Sequence, residues 1–415
     1  MTIATAISEA ESPYAWLRLA AALALMTIGS VGMYSVVVIL PAVQAEFAVA
    51  RADASLPYTL TMVGFGIGGV LMGKLADRFG VIVPVLIAAA ALGAGYAVSS
   101  AAASLWQFSL IHGLVIGMLG SSATFAPLVA DTSLWFTRRR GIAVAICISG
   151  NYLAGTLWPP VIQHFIESFG WRRTQMGVGI FCVATMLPLA LMLRRRPPAL
   201  SSGAQTDGKF IGTDRLGISP GALQALLLVA GLACCVAMSM PLVHIVALCG
   251  DLGIAPARGA EMLSLMMGFG IVSRLASGWI MDRIGGLKTL LLGSTLQTVA
   301  LALFLPMDTL ASLYLVSALF GIFQGGIVPS YPVIVREFFP PREAGARVGA
   351  VLMATMFGMA LGGWMSGAVF DVTGSYRAAF LNGIAWNVLN MAIIGWLLWR
   401  AGGTRYGISS KLAPK

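Results

Sequence analysis

The chain is short of charge. Of its 415 residues only 10% are Asp, Glu, Lys or Arg, and just 16 are acidic. With 58% hydrophobic residues and a mean hydropathy of +0.87, it has too little polar surface for a water-soluble domain of this size. What remains is a polytopic membrane protein. Cysteine is scarce too. Cys147, Cys182, Cys234, Cys235 and Cys249 lie in or beside apolar runs, with neither a disulfide framework nor metal-ligand spacing, so they read as small core hydrophobes. No metal or cofactor is expected, and the lack of a nucleophile–base pairing or a phosphate-binding loop argues against an enzyme. Base exceeds acid, giving a net charge of +10. In a soluble protein that would raise the question of nucleic acid, but here the basic residues fall at the ends of apolar segments, which is a topology signal and excludes a nucleic-acid partner.

Twelve apolar segments of spanning length can be placed, at 17–41, 55–72, 81–103, 107–130, 141–165, 174–193, 220–249, 259–281, 287–306, 310–335, 345–370 and 376–399. The first follows Glu9 and Glu11 and is too long for a cleavable signal peptide, so it is expected to be a retained span. The longest polar gap begins RRRPPALSSGAQTDGK and reads as a flexible linker. The expected organisation is a six-helix bundle over 1–193, a linker over 194–219, a second six-helix bundle over 220–400 and a tail over 401–415. Twenty of the 26 Lys and Arg residues fall on the linker's side, while Arg51, Arg172, Arg173, Arg258 and Arg377 fall on the other. The positive-inside rule then puts both termini and the linker in the cytoplasm, and the plasma (cytoplasmic) membrane is the expected location.

The halves repeat. Gly73-Lys74-Leu75-Ala76-Asp77-Arg78-Phe79-Gly80 returns as Gly278-Trp279-Ile280-Met281-Asp282-Arg283-Ile284-Gly285, and Gly170-Trp171-Arg172 returns as Ser375-Tyr376-Arg377, each at an offset of 205 residues. A constant offset across two signals means duplication of a six-helix unit, the plan of secondary transporters whose site lies near the bilayer midplane.

The pattern G-x-L-x-D-R-x-G, carried by Gly73, Leu75, Asp77, Arg78 and Gly80, resembles the signature of the major facilitator superfamily, and Asp282 and Arg283 stand in its second copy. The resemblance implies an all-α membrane protein of twelve transmembrane helices in two pseudo-symmetric bundles. It also implies a latch at these turns, remade during alternating access. Glycines there would permit a tight turn, with Asp77 and Arg78 placed to cap and pair with helix ends. One departure is that Val81 and Ile82 stand where the family often has basic residues. A further set, Leu134 to Ala143, Ser149-Gly150-Asn151-Tyr152, Trp158-Pro159-Pro160 and Gly170-Trp171-Arg172, resembles the monocarboxylate transporters and oxalate-formate antiporters.

Arg274 is the one basic residue deep inside a spanning segment. It lies 16 residues after Arg258 and 9 before Arg283, well inside a core roughly 30 Å thick at about 1.5 Å per residue. Such a charge costs about 2.5–3.5 kcal/mol at a helix centre and usually faces a cavity or a partner. A planar guanidinium can hold a carboxylate with two hydrogen bonds. The resembled families keep a carboxylate-binding arginine at this place. The antiporters carry a second basic residue where Thr355 stands here, which points to one carboxylate and away from two. The animal monocarboxylate transporters have a lysine in helix 1, absent here, and an aspartate where Gly270 stands.

His244 and Asp251 are the candidates for proton coupling, the first because histidine titrates near neutral pH. A packing histidine and a helix-capping aspartate are the plainer readings. Tyr34, Asn151, Tyr152, Gln324 and Tyr331 are polar groups at spanning depth that could complete a substrate pocket, and by resemblance Tyr34 and Asn151 line the cavity. The expected function is a monomeric, proton-coupled carrier of a small monocarboxylate of the lactate or pyruvate kind. The rival is a carrier of a drug-like compound, sugar or dicarboxylate in which Arg274 is structural.

Overall fold

The computed structural model describes residues 12–136, 139–195 and 216–409. Among them are twelve helices long and apolar enough to cross a membrane. They are α1 Pro13–Phe47, α2 Arg51–Phe79, α3 Ile82–Ser100, α4 Leu105–Trp135, α5 Gly141–Phe169, α6 Trp171–Leu191, α7 Pro220–Asp251, α8 Pro256–Ile284, α9 Gly286–Phe304, α10 Leu310–Phe338, α11 Glu343–Thr373 and α12 Tyr376–Ala401. No strand occurs among the described residues. This is the all-α architecture the sequence leads one to expect. In hydrocarbon every backbone polar group needs an internal partner, and a helix supplies one within the segment. Most of the expected linker, and the tail beyond Ser409, lie outside the described residues; the last helix itself continues to Ser409.

Several helices outrun their apolar segments. The span α2 ends at Phe79 and α4 at Trp135, because counting apolar residues stops at the first charge whereas a helix does not. Lys74, Leu75, Ala76 and Arg78 propagate α2 well, and in α4 the pairing of Asp131 with Arg18 accommodates the first charge. Two sequence expectations change as a result. Gly73 to Phe79 is the last part of α2 and not a turn, so Gly73 is helical and only Gly80 turns the chain, at φ 84° and ψ 166°. Gly285 after α8 has the same angles, and both conformations favour a residue without Cβ. Asp131, which lay one residue beyond the segment expected at 107–130, is inside α4.

Contacts divide the chain into two units, Met1–Thr206 with Leu242–Gly268, and Asp207–Pro241 with Phe269–Lys415. The adjoining ends of α7 and α8 therefore belong to the first unit.

In the first unit, α2 and α4 meet backbone to backbone. A Cβ on Gly64 would lie 2.0 Å from the Gly113 carbonyl oxygen and one on Gly68 2.2 Å from that of Met118. Small residues allow this approach without any hydrophobic drive. The facing part of α4 is irregular, with π geometry over Ile111–Gly120 and a 3-10 turn over Ser121–Thr124. Helix α1 is interrupted at Ser30, and Gly29 and Gly32 there leave space that Thr124 and Ser121 of α4 fill. Nearer the helix ends, Arg18 of α1 donates from Nε and Nη2 to Asp131 of α4, both at 2.9 Å. Their side chains are 3% and 8% exposed.

In the second unit, α10 is interrupted at Gly325–Gly326. Gly325 is 205 residues after Gly120, where the irregularity of α4 changes from π to 3-10. Buried polar groups hold α7, α9, α10 and α12 together. Tyr331 Oη donates to Asn390 Oδ1 and Cys234 Sγ, both at 3.3 Å, and Asn390 Nδ2 donates to Ser294 Oγ at 2.7 Å. Asn387 Nδ2 reaches the Ser294 carbonyl at 2.8 Å.

Candidate functional site

The first unit gathers three of the residues singled out from the sequence around the interruption in α1. Tyr34 Oη donates to Asn151 Oδ1 at 3.1 Å and approaches Met267 Sδ at 3.6 Å. Asn151 Nδ2 in turn donates to Ser30 Oγ at 3.2 Å. A Cβ on Gly155 would lie 2.7 Å from the Tyr34 ring, so this glycine lets the ring lie against α5. Tyr34 and Asn151 are half-buried, whereas Tyr152 is buried beside them on α5. Ser264 of α8 donates to the Thr156 carbonyl of α5.

His244 is 2% exposed within α7. Asp251, at the end of the same helix, is held by Arg51 of α2: Nη1 donates to Oδ2 at 2.8 Å and Nη2 to Oδ1 at 3.1 Å. Arg51 counted in the sequence only as a topology residue. Nothing in its local pattern announces the pair, because the two are 200 positions apart.

In the second unit Arg274 is half-buried on α8, with its Nε fully buried. The face next to it is a close seam. A Cβ on Gly325 would lie 2.5 Å from the Gly270 carbonyl oxygen, and one on Gly326 2.1 Å from Ser277 Oγ. Arg274 follows Gly270 by one helical turn and so flanks that seam. Gln324, the residue before the interruption in α10, is 1% exposed, and neither its Nε2 nor its Oε1 has a hydrogen-bond partner among the described residues. A buried primary amide without partners costs free energy unless something else pairs with it. Tyr331 is fully buried, and its hydroxyl is engaged by Asn390 and Cys234.

The signature residues Asp77, Arg78, Asp282 and Arg283 lie in the last turns of α2 and α8, and all four are exposed. Arg78 lies over the Phe79 ring at 5.2 Å and Arg283 over the Trp279 ring at 3.4 Å. Among the described residues, no group of three His, Cys, Asp or Glu side chains is placed to hold a metal ion.

Twelve spanning helices carry polar side chains gathered at helix interruptions, and the family and relatives that this chain matches are membrane transporters, not enzymes. The chain belongs to the Major Facilitator Superfamily, whose match covers residues 20–310 and 225–411. Monocarboxylate transporter 13 of Rattus norvegicus is 29% identical over 334 residues, which is 79% of this chain and 75% of that protein. Monocarboxylate transporter 12 of Mus musculus is 27% identical over 354 residues, covering 78% and 72%, and the MFS-type transporter pynF of Aspergillus niger is 25% identical over 310, covering 74% and 69%. Among solved structures, a point mutant of the nucleoside transporter NupG superposes with a TM-score of 0.67 at 14% identity, over 93% of this chain and 99% of the other. A bacterial homologue of the human lysosomal transporter Spinster gives 0.65 at 16%, over 95% and 97%. At such identities the structures speak for the fold.

Proposed function

We propose that this protein is a secondary active transporter of a small monocarboxylate of the lactate or pyruvate kind, coupled to protons and working by alternating access. The observation that carries the reading is Arg274. A guanidinium half-buried within a spanning helix costs about 2.5–3.5 kcal/mol and is the kind of group that marks a substrate path. Its fork matches a carboxylate. The names of the relatives in rat and mouse support the same substrate class.

In this reading Arg274 binds the carboxylate, and Gln324, whose amide has no partner among the described residues, pairs with a second polar atom of the substrate. Tyr34 and Asn151 form a polar contact on the substrate path, and Tyr152 packs behind them. Tyr331 contributes by holding α10 to α12. His244, buried on a spanning helix, carries the proton, and Asp251 acts with it through its salt bridge. The signature turns at Gly80 and Gly285 serve as the latch. The protein works as a monomer in the plasma membrane, with both termini, the 194–219 linker and the tail in the cytoplasm.

The test is counterflow and uptake of labelled lactate, pyruvate and formate in liposomes, with and without an inward proton gradient. Accumulation driven by the gradient is expected. Carboxylate movement under none of these conditions overturns the reading in favour of a drug-like or sugar substrate. Arg274→Lys keeps the charge but loses the fork, and uptake is expected to fall by a factor of about 10 or more, the worth of about 1.4 kcal/mol.

A further inference from the structure

The corner where α1 passes into α2 carries features that neither the signature nor Arg274 accounts for. A cavity of about 390 Å³ lies there, lined by Pro41, Gln44, Ala48, Arg51, Asp251 and Pro256. That is room for a small organic anion. One wall is the Arg51–Asp251 pair, a guanidinium fork closed on a carboxylate. Its arginine side chain is 10% exposed and its aspartate 34%. Another wall is Ala48, which ends α1 in the left-handed region at φ 49° and ψ 46° and is the only non-glycine residue with positive φ among the described residues. A side chain with a Cβ held there is strained, and such strain gathers at clamps and switch regions.

We propose that this cavity is an entry site for a small carboxylate, which takes the Arg51 fork from Asp251 and so releases the end of α7 from the α1–α2 corner. The chemistry is an exchange of like for like. Arg51 gives up one bidentate carboxylate and accepts another, so the cation keeps a counter-charge throughout, and no bond other than hydrogen bonds is made or broken. Asp251 is exposed enough to hydrate as it leaves, whereas Arg51 is too covered to follow it. A partly exposed pair is weak enough to exchange, its formation shifting an equilibrium only about 1.5- to 5-fold. The strained corner at Ala48 loses its hold when the pair opens. The ligand class is shared with the reading of Arg274, but the site is separate from it.

The experiment is hydrogen exchange of the α7 end, residues 244–252, in protein reconstituted in lipid nanodiscs, with sodium lactate or acetate compared with sodium chloride at equal ionic strength. In the native chain a saturable exchange faster by about 1.5- to 5-fold with either carboxylate is expected, the full worth of the pair. The neutral pair of Arg51→Gln with Asp251→Asn should exchange faster from the start and ignore the carboxylate. Arg274→Gln, which removes the proposed transport site, should keep the response. In the Arg274→Gln background, Asp251→Asn should bind labelled lactate more tightly, because the ligand no longer displaces a tethered competitor. Equal exchange in carboxylate and chloride overturns the entry site while leaving the transport reading intact. So does a response that persists in the neutral pair, or one that vanishes with Arg274. A response in the native chain without carboxylate uptake overturns the transport reading and leaves the entry site standing.

Discussion

Removing Asp131 tests what joins the ends of α1 and α4. Its carboxylate receives two hydrogen bonds of 2.9 Å from Arg18, and the two side chains are 8% and 3% exposed. Arg18 also lies 4.8 Å over the Trp135 ring, and its Nη1 is already buried without a hydrogen-bond partner among the described residues. Asp131→Leu therefore leaves a guanidinium in a place it can neither leave nor neutralise. Two charge-assisted hydrogen bonds at about 1.5–3 kcal/mol each and the measured cost of breaking a buried pair from one side, about 3–5 kcal/mol, converge on a loss of about 4 kcal/mol. Arg18→Met should cost a similar amount. The double variant Arg18→Met/Asp131→Leu removes both charges, and replacing a buried pair by apolar side chains is often neutral, so it should return to within about 1 kcal/mol of the native chain. Thermal unfolding of detergent-solubilised protein, followed by tryptophan fluorescence, reads this as a drop of roughly 4–5 °C for each single variant, at about 1 °C per kcal/mol for a chain of 415 residues. A double variant as unstable as the two singles added together would refute the reasoning, because it would mean the two side chains act on stability without acting on each other.

Three other outcomes follow from the geometry. Within the signature, Gly80→Ala should destabilise by about 1–3 kcal/mol because of its backbone angles, whereas Gly73→Ala, helical and with nothing within 4 Å of the new methyl, should be neutral or stabilising by about 0.5–1 kcal/mol; melting temperatures of the two variants check the contrast. Gly64→Leu should abolish folding, since even a methyl there would meet the Gly113 carbonyl at 2.0 Å, and loss of the monodisperse peak in detergent reads it. Tyr34→Phe removes the donor to Asn151 at 3.1 Å; stability should change by about 1 kcal/mol or less while the half-saturation concentration for lactate uptake rises several-fold. An unaltered uptake curve would make Tyr34 a packing residue.

Much of the architecture was legible because hydrocarbon imposes it: a run of apolar residues without charge has few fates other than a spanning helix, and twelve such runs were found where twelve helices stand. The duplication was legible because glycine and charged residues punctuate apolar sequence clearly, and Gly80 and Gly285 do share one backbone conformation. Boundaries were less so. Polar residues propagate helix beyond the hydrocarbon, which hid Asp131 and made a turn of Gly73 to Phe79. The partners of polar groups were least legible of all. Arg51 with Asp251 and Tyr331 with Asn390 are meetings of distant segments, set by how helices pack and not by any local spacing. For Arg274 the sequence supplied the residue and its depth, and the structure added the seam of Gly270, Ser277, Gly325 and Gly326 that it flanks.

The paired irregularities of α4 and α10 bear on ancestry. Gly120 and Gly325 stand one repeat length apart, and the chain departs from regular helix at both. A defect shared by both copies of a doubled gene is most simply one the single copy already had. The interruption would then be older than the twelve-helix protein, present when six helices made up the whole chain and two such chains had to associate. Since the doubling the two sites have been free to diverge, and they have: one became a long π stretch packed on α2, the other a pair of glycines beside the buried amide of Gln324. The older half of this molecule's history is written in the places where its helices fail to be helices.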